Sequence, residues 1–229
     1  MQTTERRVLV VAAHADDEIL GCGGTMAKHV SMGDKVGVLF MTDGVGARSD
    51  ECDTCHVEGR ESAAHQALEI IGAELLGQFA FPDNAMDQMA RIEITQAIER
   101  VITEYQPTII YTHHGGDLNV DHRRTLESVL TASRPQPGNG VCEIYSFEVA
   151  SSTAWKGVSL TDGFLPNYYV NISDQLDVKM EALKAYEDEM RDFPHARSYE
   201  ALEALALWRG SQVGLRAAEA FMVERKILF

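Results

Sequence analysis

Short apolar runs alternate with longer segments of helical periodicity along most of the chain. Apolar runs bounded by polar turn residues are typical of buried strands, whereas apolar residues spaced three and four positions apart are typical of amphipathic helices. The pattern predicts strands at Val8–Ala13, Val36–Met41, Leu75–Phe81, Thr108–Thr112, Glu143–Val149 and Tyr168–Ile172.

Helical periodicity follows most of these runs. It predicts helices at Glu18–Met32, Glu58–Ile71, Asp87–Tyr105, Asp121–Ala132, Leu176–Met190 and Tyr199–Met222, with a polar loop at Val45–Val57. Because strands and helices alternate, we expect an α/β fold, a three-layer sandwich in which helices cover both faces of a mostly parallel sheet. Neither a repeat nor a linker interrupts the pattern, so residues 1–229 are predicted to form a single domain.

Two polar clusters follow predicted strands. His14 and Asp17 lie where the first strand passes into a helix, and His122 opens the helix after the fourth strand. Loops that follow parallel strands share the carboxyl edge of the sheet, so these three side chains can reach one point. Two imidazoles and a carboxylate leave one coordination position open, which is typical of catalytic zinc sites. The sequence therefore predicts a Zn²⁺ site, although Fe²⁺, Mn²⁺ or Co²⁺ also suit these ligands.

Asp16 and Asp121 stand beside the predicted ligands. Asp16 is the candidate general base for a metal-activated water, and Asp121 can orient an imidazole from behind. Taken alone, Asp16 and Asp17 have another interpretation, since acidic residues are favourable at the start of any helix. The buried strand that ends in His14, together with the second cluster at His122, favours the metal site.

The net charge of the chain limits the classes of molecule that it can bind. The 35 acidic residues outnumber the 20 basic ones, which gives a formal net charge of −15. A surface of this charge argues against binding to nucleic acid or to an anionic membrane, although a few arginines can still hold a single phosphate. No stretch approaches the roughly 20 apolar residues of a membrane span. The polar start of the chain lacks a signal-peptide pattern, so we expect a cytoplasmic protein.

The four cysteines are Cys22, Cys52, Cys55 and Cys142, and we expect them to be free thiols in a cytoplasmic protein. The segment Cys52–His56 matches the attachment pattern of c-type haem. Because no export signal precedes it, a loop with spare thiols is favoured over haem attachment and over a small structural metal site.

Four further segments have both a functional and a structural interpretation. The glycines of Gly21–Gly24 lie inside the first predicted helix, so close packing on the sheet is favoured over a phosphate-binding loop, which would precede the helix. Phe81–Asn84, Ser151–Trp155 and Phe193–Arg197 are each either a turn or connector, or a wall of the cleft.

The segment Ala13–Glu18 resembles the A-H-x-D-D-E motif of the PIG-L/LmbE family of metal-dependent de-N-acetylases. Leu20–Thr25, Thr42–Gly44, Gly59–Ala63 and the tail Arg209–Phe221 are also similar to the family. The resemblance covers most of the chain. It implies a Rossmann-like fold, a bound zinc ion, and hydrolysis of an N-acetyl amide, usually on a hexosamine.

The resemblance also implies roles for single residues. The zinc ligands of the family fall on His14, Asp17 and His122, and its general base falls on Asp16. Its substrate-contacting arginine, in the helix after the second strand, falls on Arg60.

The chain departs from the family at one position. Many members have a histidine where this chain has Asn119, and that histidine helps to bind the oxyanion or to protonate the leaving amine. Asn119 can donate a hydrogen bond to an oxyanion, but it cannot deliver a proton. The proton donor is therefore open between Asp16, acting a second time, and His113 or His114 at the end of the preceding strand.

The ligand pattern and the resemblance predict a hydrolase that removes an N-acetyl group from an N-acetylglucosamine-type sugar or sugar conjugate. Two alternatives stay open. The site could cleave another N-acyl amide, such as a thiol–sugar conjugate or a lipid-linked sugar, or the protein could bind a sugar or nucleotide without turnover. We expect a small amino-sugar substrate and no nucleic-acid partner. Trp208 and Met222 on the last predicted helix leave room for a homo-oligomer.

Overall fold

The computed structural model describes residues 6–44, 53–157 and 163–228, with the side chains of residues 53–58 outside this description. The described strands are β1 (Arg7–Ala12), β2 (Lys35–Thr42), β3 (Glu74–Phe81), β4 (Ile109–His113), β5 (Glu143–Phe147), β6 (Tyr168–Asn171) and β7 (Ala218–Lys226). They form one sheet in the order β3-β2-β1-β4-β5-β7-β6. The first five strands pair in parallel, and β7 pairs antiparallel with both β5 and β6.

Helices cover both faces of this sheet. The described helices are α1 (Asp17–Ser31), α2 (Asp53–Ile71), α3 (Arg91–Tyr105), α4 (Val120–Ala132), α5 (Leu176–Leu183) and α6 (Tyr199–Ser211). Helices α1, α2 and α5 pack against one face, and α3 and α4 pack against the other. The predicted three-layer α/β sandwich is therefore confirmed.

Strand β1 lies at the centre of the sheet and is buried on both faces. Val8 and Val10 belong to the core beneath α1 and α2, whereas Leu9 and Val11 belong to the core beneath α3 and α4. A strand that is covered on both sides needs apolar residues at every position, which explains the unbroken run in its sequence.

The chain reverses its direction of winding at β1. It passes from β1 to β2 on one side, and β4 later takes the place on the other side. In an open α/β sheet such a switch point leaves a crevice at the carboxyl ends of the two strands. The loop after β1 and the loop after β4 both open into this crevice, and these loops carry the two polar clusters of the sequence.

The last predicted helix, Tyr199–Met222, is wrong in its second half. Helix α6 ends at Ser211, and Ala218–Lys226 forms strand β7 between β5 and β6. Gly214 adopts a φ of +74° in the turn that separates the two elements. The error has a physical cause, because Ala218, Glu219 and Ala220 are strong helix formers, whereas their burial in the sheet places them in a strand.

Three other boundaries differ from the prediction by more than two residues. Helix α2 begins at Asp53, so the last residues of the predicted polar loop are helical, while residues 45–52 lie outside the described part. Helix α3 begins at Arg91, since Met89 and Ala90 are extended after a 3₁₀ turn. Helix α5 ends at Leu183 and continues as a 3₁₀ turn at Lys184–Glu189.

The glycines of α1 allow close packing on the sheet, as the sequence predicts. A Cβ atom at Gly21 would overlap the ring of Phe147, and one at Gly24 would press on Ile172. Between them Cys22 leaves helical geometry, with φ −147° and ψ 21°, so the helix is kinked.

A buried ion pair satisfies the backbone at this kink. Glu219 of β7 accepts hydrogen bonds from the backbone N–H groups of Gly24 and Thr25, at 2.9 and 2.6 Å. Lys179 of α5 donates to the carbonyl of Leu20 at 3.0 Å and to Glu219 at 2.6 Å. The kink leaves these groups without helical partners, and the ion pair supplies new ones.

Among the described helices, none is long and apolar enough to cross a membrane. Cys22 and Cys142 are free thiols, as expected. Cys52 and the side chains of Cys55 and His56 lie outside the described residues, so the haem-like pattern stays a sequence observation.

Candidate metal and active site

The turn between β1 and α1 holds Asp16 in an unusual conformation. Asp16 is the N-cap of α1 and has a φ of +121°, which residues other than glycine rarely adopt. Two contacts restrain it. Its backbone N–H donates to Glu18 Oε2 at 3.0 Å, and the Tyr186 hydroxyl donates to Glu18 Oε1 at 2.7 Å. Backbone strain of this kind persists only where the surroundings impose it, and it is common at active sites.

His14, Asp17 and His122 come together at the carboxyl edge. Asp17 Oδ2 lies 3.0 Å from His14 Nδ1 and 3.2 Å from His122 Nε2. One potential ligand atom of each residue lies within 4.8 Å of the others, a spacing that fits a single metal ion. The structure therefore brings together the three ligands that the sequence predicts.

The chemistry of this donor set fits a divalent cation. Asp17 Oδ1 and His122 Nε2 are buried and have no hydrogen-bond partner. Although burial favours its neutral form, the surrounding imidazoles, led by His122, hold the pKa of Asp17 well below its ordinary value. Burial lowers the pKa of His122, but the charge of Asp17 outweighs it and raises that pKa to about 9. The negative potential that favours a proton on His122 equally favours a metal ion.

In each of the two histidine rings, the nitrogen that does not face Asp17 lies close to a second carboxylate. Asp121 Oδ2 lies 3.1 Å from His14 Nε2, so the imidazole that Asp121 contacts is not that of its neighbour His122. His122 Nδ1 instead lies 3.3 Å from Asp117 Oδ1. Carboxylates in these positions fix the orientation and tautomer of metal-binding histidines.

A second acidic group shares His14. Asp83 Oδ1 and Asp121 Oδ2 both lie 3.1 Å from His14 Nε2, and this set also has a spacing compatible with a cation. Asp121 also accepts hydrogen bonds from the backbone N–H groups of Asn84 and Met86. These contacts favour the set with His122 as the candidate metal site, and they favour a role for the second set in positioning His14.

Asp16 pairs with an arginine from the far end of the chain. Arg197 donates to Asp16 Oδ2 at 2.6 Å and to Ser151 Oγ at 3.0 Å. Burial raises the pKa of Asp16 to about 6, although the charge of Arg197 works in the opposite direction. The arrangement fixes the carboxylate beside the candidate metal ligands, and Asp16 belongs to neither candidate set.

A small cavity of about 110 Å³ opens above these residues. We call it the metal-side cavity; its walls include His14, Asp16, Arg60, Asp83, Asn119 and Arg197. Arg60 donates to the Gly44 carbonyl and forms an ion pair of 2.6 Å with Glu189. The side chain predicted to contact substrate thus lies at the wall of the cavity.

Asn119 caps a helix and also lines the metal-side cavity. It is the N-cap of α4, and its side-chain oxygen accepts a hydrogen bond from the Asp121 N–H at 2.8 Å. Its amide nitrogen donates one proton to Asn84 Oδ1 at 3.0 Å. A side-chain amide has two N–H donors, so the second remains for a group in the metal-side cavity.

His113 and His114 do not line the cavity. His113 is fully buried, accepts a hydrogen bond from the Ala13 N–H at 2.8 Å, and stacks on His122 at 3.9 Å between ring centroids. His114 is also buried and packs edge-on against Phe164. Substrate binding and proton donation by His113 and His114, both expected from the sequence, therefore stay predictions: the ring of His113 packs against His122, and that of His114 packs against Phe164.

Sequence reasoning missed several residues of the site. Asp117 and Glu189 received no role, and Asp83 and Arg197 were considered only as parts of segments that form either a turn or a cleft wall. Asp117 had a signal, since it shares the loop of the second polar cluster. Glu189 and Arg197 come from the region after α5, and no local pattern connects them with a cleft more than 100 residues earlier in the chain.

Residues 9–133 match the family described as GlcNAc-PI de-N-acetylase, PIG-L. The chain belongs to this family. The matched region runs from β1 to α4 and contains His14, Asp16, Asp17 and His122.

Similar proteins cover nearly the whole chain. Diacetylchitobiose deacetylase of Thermococcus kodakarensis is 28% identical over 232 residues, which is 93% of this chain and 81% of the relative. The structure of N,N'-diacetylchitobiose deacetylase from Pyrococcus horikoshii superposes with a TM-score of 0.78 at 21% identity, covering 96% of this chain and 84% of that one.

The fold is also shared with a different kind of enzyme. GalB, the 4-carboxy-2-hydroxymuconate hydratase of Pseudomonas putida, superposes with a TM-score of 0.77 at 21% identity, covering 98% of each chain. A fold can host unrelated reactions, so the activity has to be argued from the site residues.

Proposed function

We propose that this chain is a metal-dependent N-deacetylase that acts on an N-acetylglucosamine-type sugar or sugar conjugate. The observation that carries the proposal is the convergence of His14, Asp17 and His122, with the Asp16 carboxylate held beside them by Arg197. Membership of a family described as de-N-acetylases supports the same reaction.

In this proposal His14, Asp17 and His122 hold Zn²⁺, and Fe²⁺, Mn²⁺ or Co²⁺ can replace it. When bound in such a site, a divalent metal polarises the substrate carbonyl and makes water a stronger acid. Asp117 and Asp121 orient the two imidazoles from behind.

Asp16 takes the proton of the attacking water. Its fixed backbone and its ion pair with Arg197 aim the carboxylate into the metal-side cavity, where the amide carbon must lie. The free N–H of Asn119 donates to the oxyanion that develops on the amide oxygen. Asn119 cannot supply the proton that the leaving amine needs, so we assign that second transfer to protonated Asp16.

The sugar is oriented by groups at the wall of the metal-side cavity. Arg60 presents a guanidinium that is already held by Glu189, and Asp83 presents a carboxylate. A fixed donor and a fixed acceptor are suited to binding the hydroxyl groups of a pyranose, which both donate and accept.

The test is acetate release from N-acetylglucosamine in free, glycoside-linked, nucleotide-linked and lipid-linked form, with and without a chelator. The proposal predicts release from at least one form, loss of release with chelator, and recovery when metal is restored. His122→Ala serves as the control that metal cannot rescue. Absence of release from every form, in protein with one metal ion per chain, would contradict the proposal.

A further inference from the structure

His113 lies at the point where the neighbouring strands β1 and β4 separate. The two strands pair in parallel as far as Val11 and Thr112. Beyond this pair, the backbone N–H of Ala13 donates to His113 Nε2 at 2.8 Å, and the His113 side chain is fully buried. The imidazole thus supplies a hydrogen-bond partner to the backbone where the ladder between the two strands ends.

The same ring packs against a proposed metal ligand. The rings of His113 and His122 are stacked, with 3.9 Å between their centroids and 18° between their planes. Phe147 of β5 packs edge-on against His113, at 4.8 Å between centroids. The Phe147 ring in turn fills the space that a Cβ atom at Gly21 of α1 would occupy. Because a close-packed interior leaves little room for movement, these contacts restrict the tilt of the His122 ring.

The hydrogen bond from Ala13 determines which nitrogen of His113 carries the proton. A ring nitrogen that accepts a hydrogen bond presents its lone pair, so the ring is neutral and its proton is on Nδ1. Nε2 also lies 3.6 Å from Asp17 Oδ2. Since this nitrogen has a single lone pair and the Ala13 N–H already uses it, it is not available to a metal ion. His113 therefore lies beside the candidate ligands and belongs to neither candidate metal set.

One side chain thus contacts both segments that carry the proposed metal ligands. Ala13 immediately precedes His14 in the loop after β1, whereas His122 lies on α4, much later in the chain. A metal site built from two distant segments needs them at a fixed separation, because its ligands must stay within about 0.5 Å of the productive geometry. The edge of the His113 ring contacts one segment and its face contacts the other.

We infer that His113 is a positioning residue of the metal site: its ring fixes the loop that carries His14 and Asp17 relative to the imidazole of His122. The inference rests on the metal site of the proposed function, but it does not depend on which substrate the enzyme accepts. It gives a role to a buried histidine that neither holds the metal nor lines the metal-side cavity.

Two substitutions separate the two contacts of the ring. His113→Gln keeps an acceptor for the Ala13 N–H but lacks the flat ring, whereas His113→Phe keeps a ring and lacks the acceptor. We expect each variant to bind Zn²⁺ about tenfold or more weakly than the wild type, because groups that orient metal ligands typically contribute this much to affinity. Competition with a chromogenic chelator measures the affinity without any substrate.

Tyr111→Phe is the matched control. Tyr111 is buried on the same strand as His113, and its hydroxyl lies 3.0 Å from His29 Nε2, so this substitution also removes a buried hydrogen bond. We expect it to lower the free energy of unfolding of the metal-free protein and to leave the affinity for Zn²⁺ as it is. A wild-type affinity in either His113 variant, whatever its stability, would overturn the inference.

Co²⁺ gives a second readout, which a purely structural role would not change. This ion suits the same donor set, and its visible absorption bands depend on the arrangement of its ligands. We expect both His113 variants to alter the bands of bound Co²⁺, and Tyr111→Phe to reproduce the wild-type spectrum. Unaltered bands would overturn the inference. A loss of binding as complete as in His122→Ala would also overturn it, because His113 would then be a ligand.

The same measurements separate this inference from the proposed function. Metal binding that depends on His113, without acetate release, would leave the positioning role intact and refute the deacetylase. Acetate release with unchanged metal affinity in the His113 variants would do the reverse. Failure of the wild type to bind metal, or equal binding after His122→Ala, would overturn the inference together with the proposed metal site.

Discussion

At the scale of single residues, the site depends on side chains that have two tasks. Asn119 caps α4 through its oxygen and offers an N–H to the metal-side cavity through its nitrogen. The two tasks can be separated, because serine caps a helix about as well as asparagine but lacks the amide donor.

We predict that Asn119→Ser lowers kcat about 100-fold, with a smaller change in KM, because the oxyanion loses one donor. Thermal unfolding should shift by only a few degrees, since the cap is retained. Asn119→Ala removes both the cap and the donor, so it should also lose about 1 kcal/mol of stability. A kcat for Asn119→Ser within threefold of wild type would exclude Asn119 as the oxyanion donor.

Tyr186 acts on Asp16 through Glu18. The Tyr186 hydroxyl holds one oxygen of Glu18, and the other oxygen holds the strained N–H of Asp16. We predict that Tyr186→Phe lowers kcat and leaves KM nearly unchanged, because the base loses its orientation while the walls that bind the sugar stay in place. Tyr199→Phe, on α6, is the matched control and should leave both constants as they are. A loss of stability without any change in kcat would mean that the contact is only structural.

Whether a residue of the site could be predicted from the sequence depends on where it lies in the chain. His14, Asp16 and Asp17 were predictable, because a buried strand followed directly by acidic residues locates them at the carboxyl edge of the sheet. Glu189 was missed and Arg197 was left between two interpretations, because their side chains reach the site from connections after α5 whose local sequence carries no periodic signal.

At the scale of elements, the kink in α1 is stabilised by residues that lie far from it in the sequence. The glycines Gly21 and Gly24 were correctly interpreted as packing positions. Their helix is held by Glu219 of β7, an element that the sequence pattern assigned to a helix. The local helix propensity of Ala218, Glu219 and Ala220 concealed this strand, because it is the pairing with β5 and β6 that makes the segment extended.

We predict that Lys179→Met alone destabilises the protein by about 3–5 kcal/mol, because it leaves the buried Glu219 charge without a partner. Combining it with Glu219→Gln should recover part of the loss, since the unpaired charge is removed and the amide oxygen still accepts from one of the two backbone N–H groups. Lys184→Met is the control: its pair with Glu181 is exposed, and its loss should cost less than about 1 kcal/mol. Strictly additive losses in chemical denaturation would argue against coupling across the kink.

At the scale of the whole molecule, the alternation of strands and helices predicted the layers and the parallel sheet, because each element needs an apolar face against its neighbours. The pattern did not predict the antiparallel addition of β7, since strand order is decided by contacts between segments distant in sequence. Cytoplasmic location and self-association stay predictions.

A metal bound between the loops after β1 and β4 should stabilise the whole fold. At a metal concentration 100 times its Kd, binding contributes about 2.7 kcal/mol, which corresponds to a rise in Tm of roughly 5–10 °C. We predict that chelation reverses this rise, that His122→Ala abolishes it, and that His65→Ala, an exposed histidine of α2, retains it. A similar rise in His122→Ala would place the metal elsewhere.

The central claim is that one metal site and one carboxylate perform the reaction with separate roles. The most direct measurement compares bound metal and acetate release in wild-type and Asp16→Asn protein, on whichever substrate form the wild type accepts. The account predicts one metal ion per chain in both proteins and a fall in kcat of about 100-fold or more in the variant, because the amide of asparagine cannot accept the proton of water. Normal turnover by metal-loaded Asp16→Asn protein would contradict it.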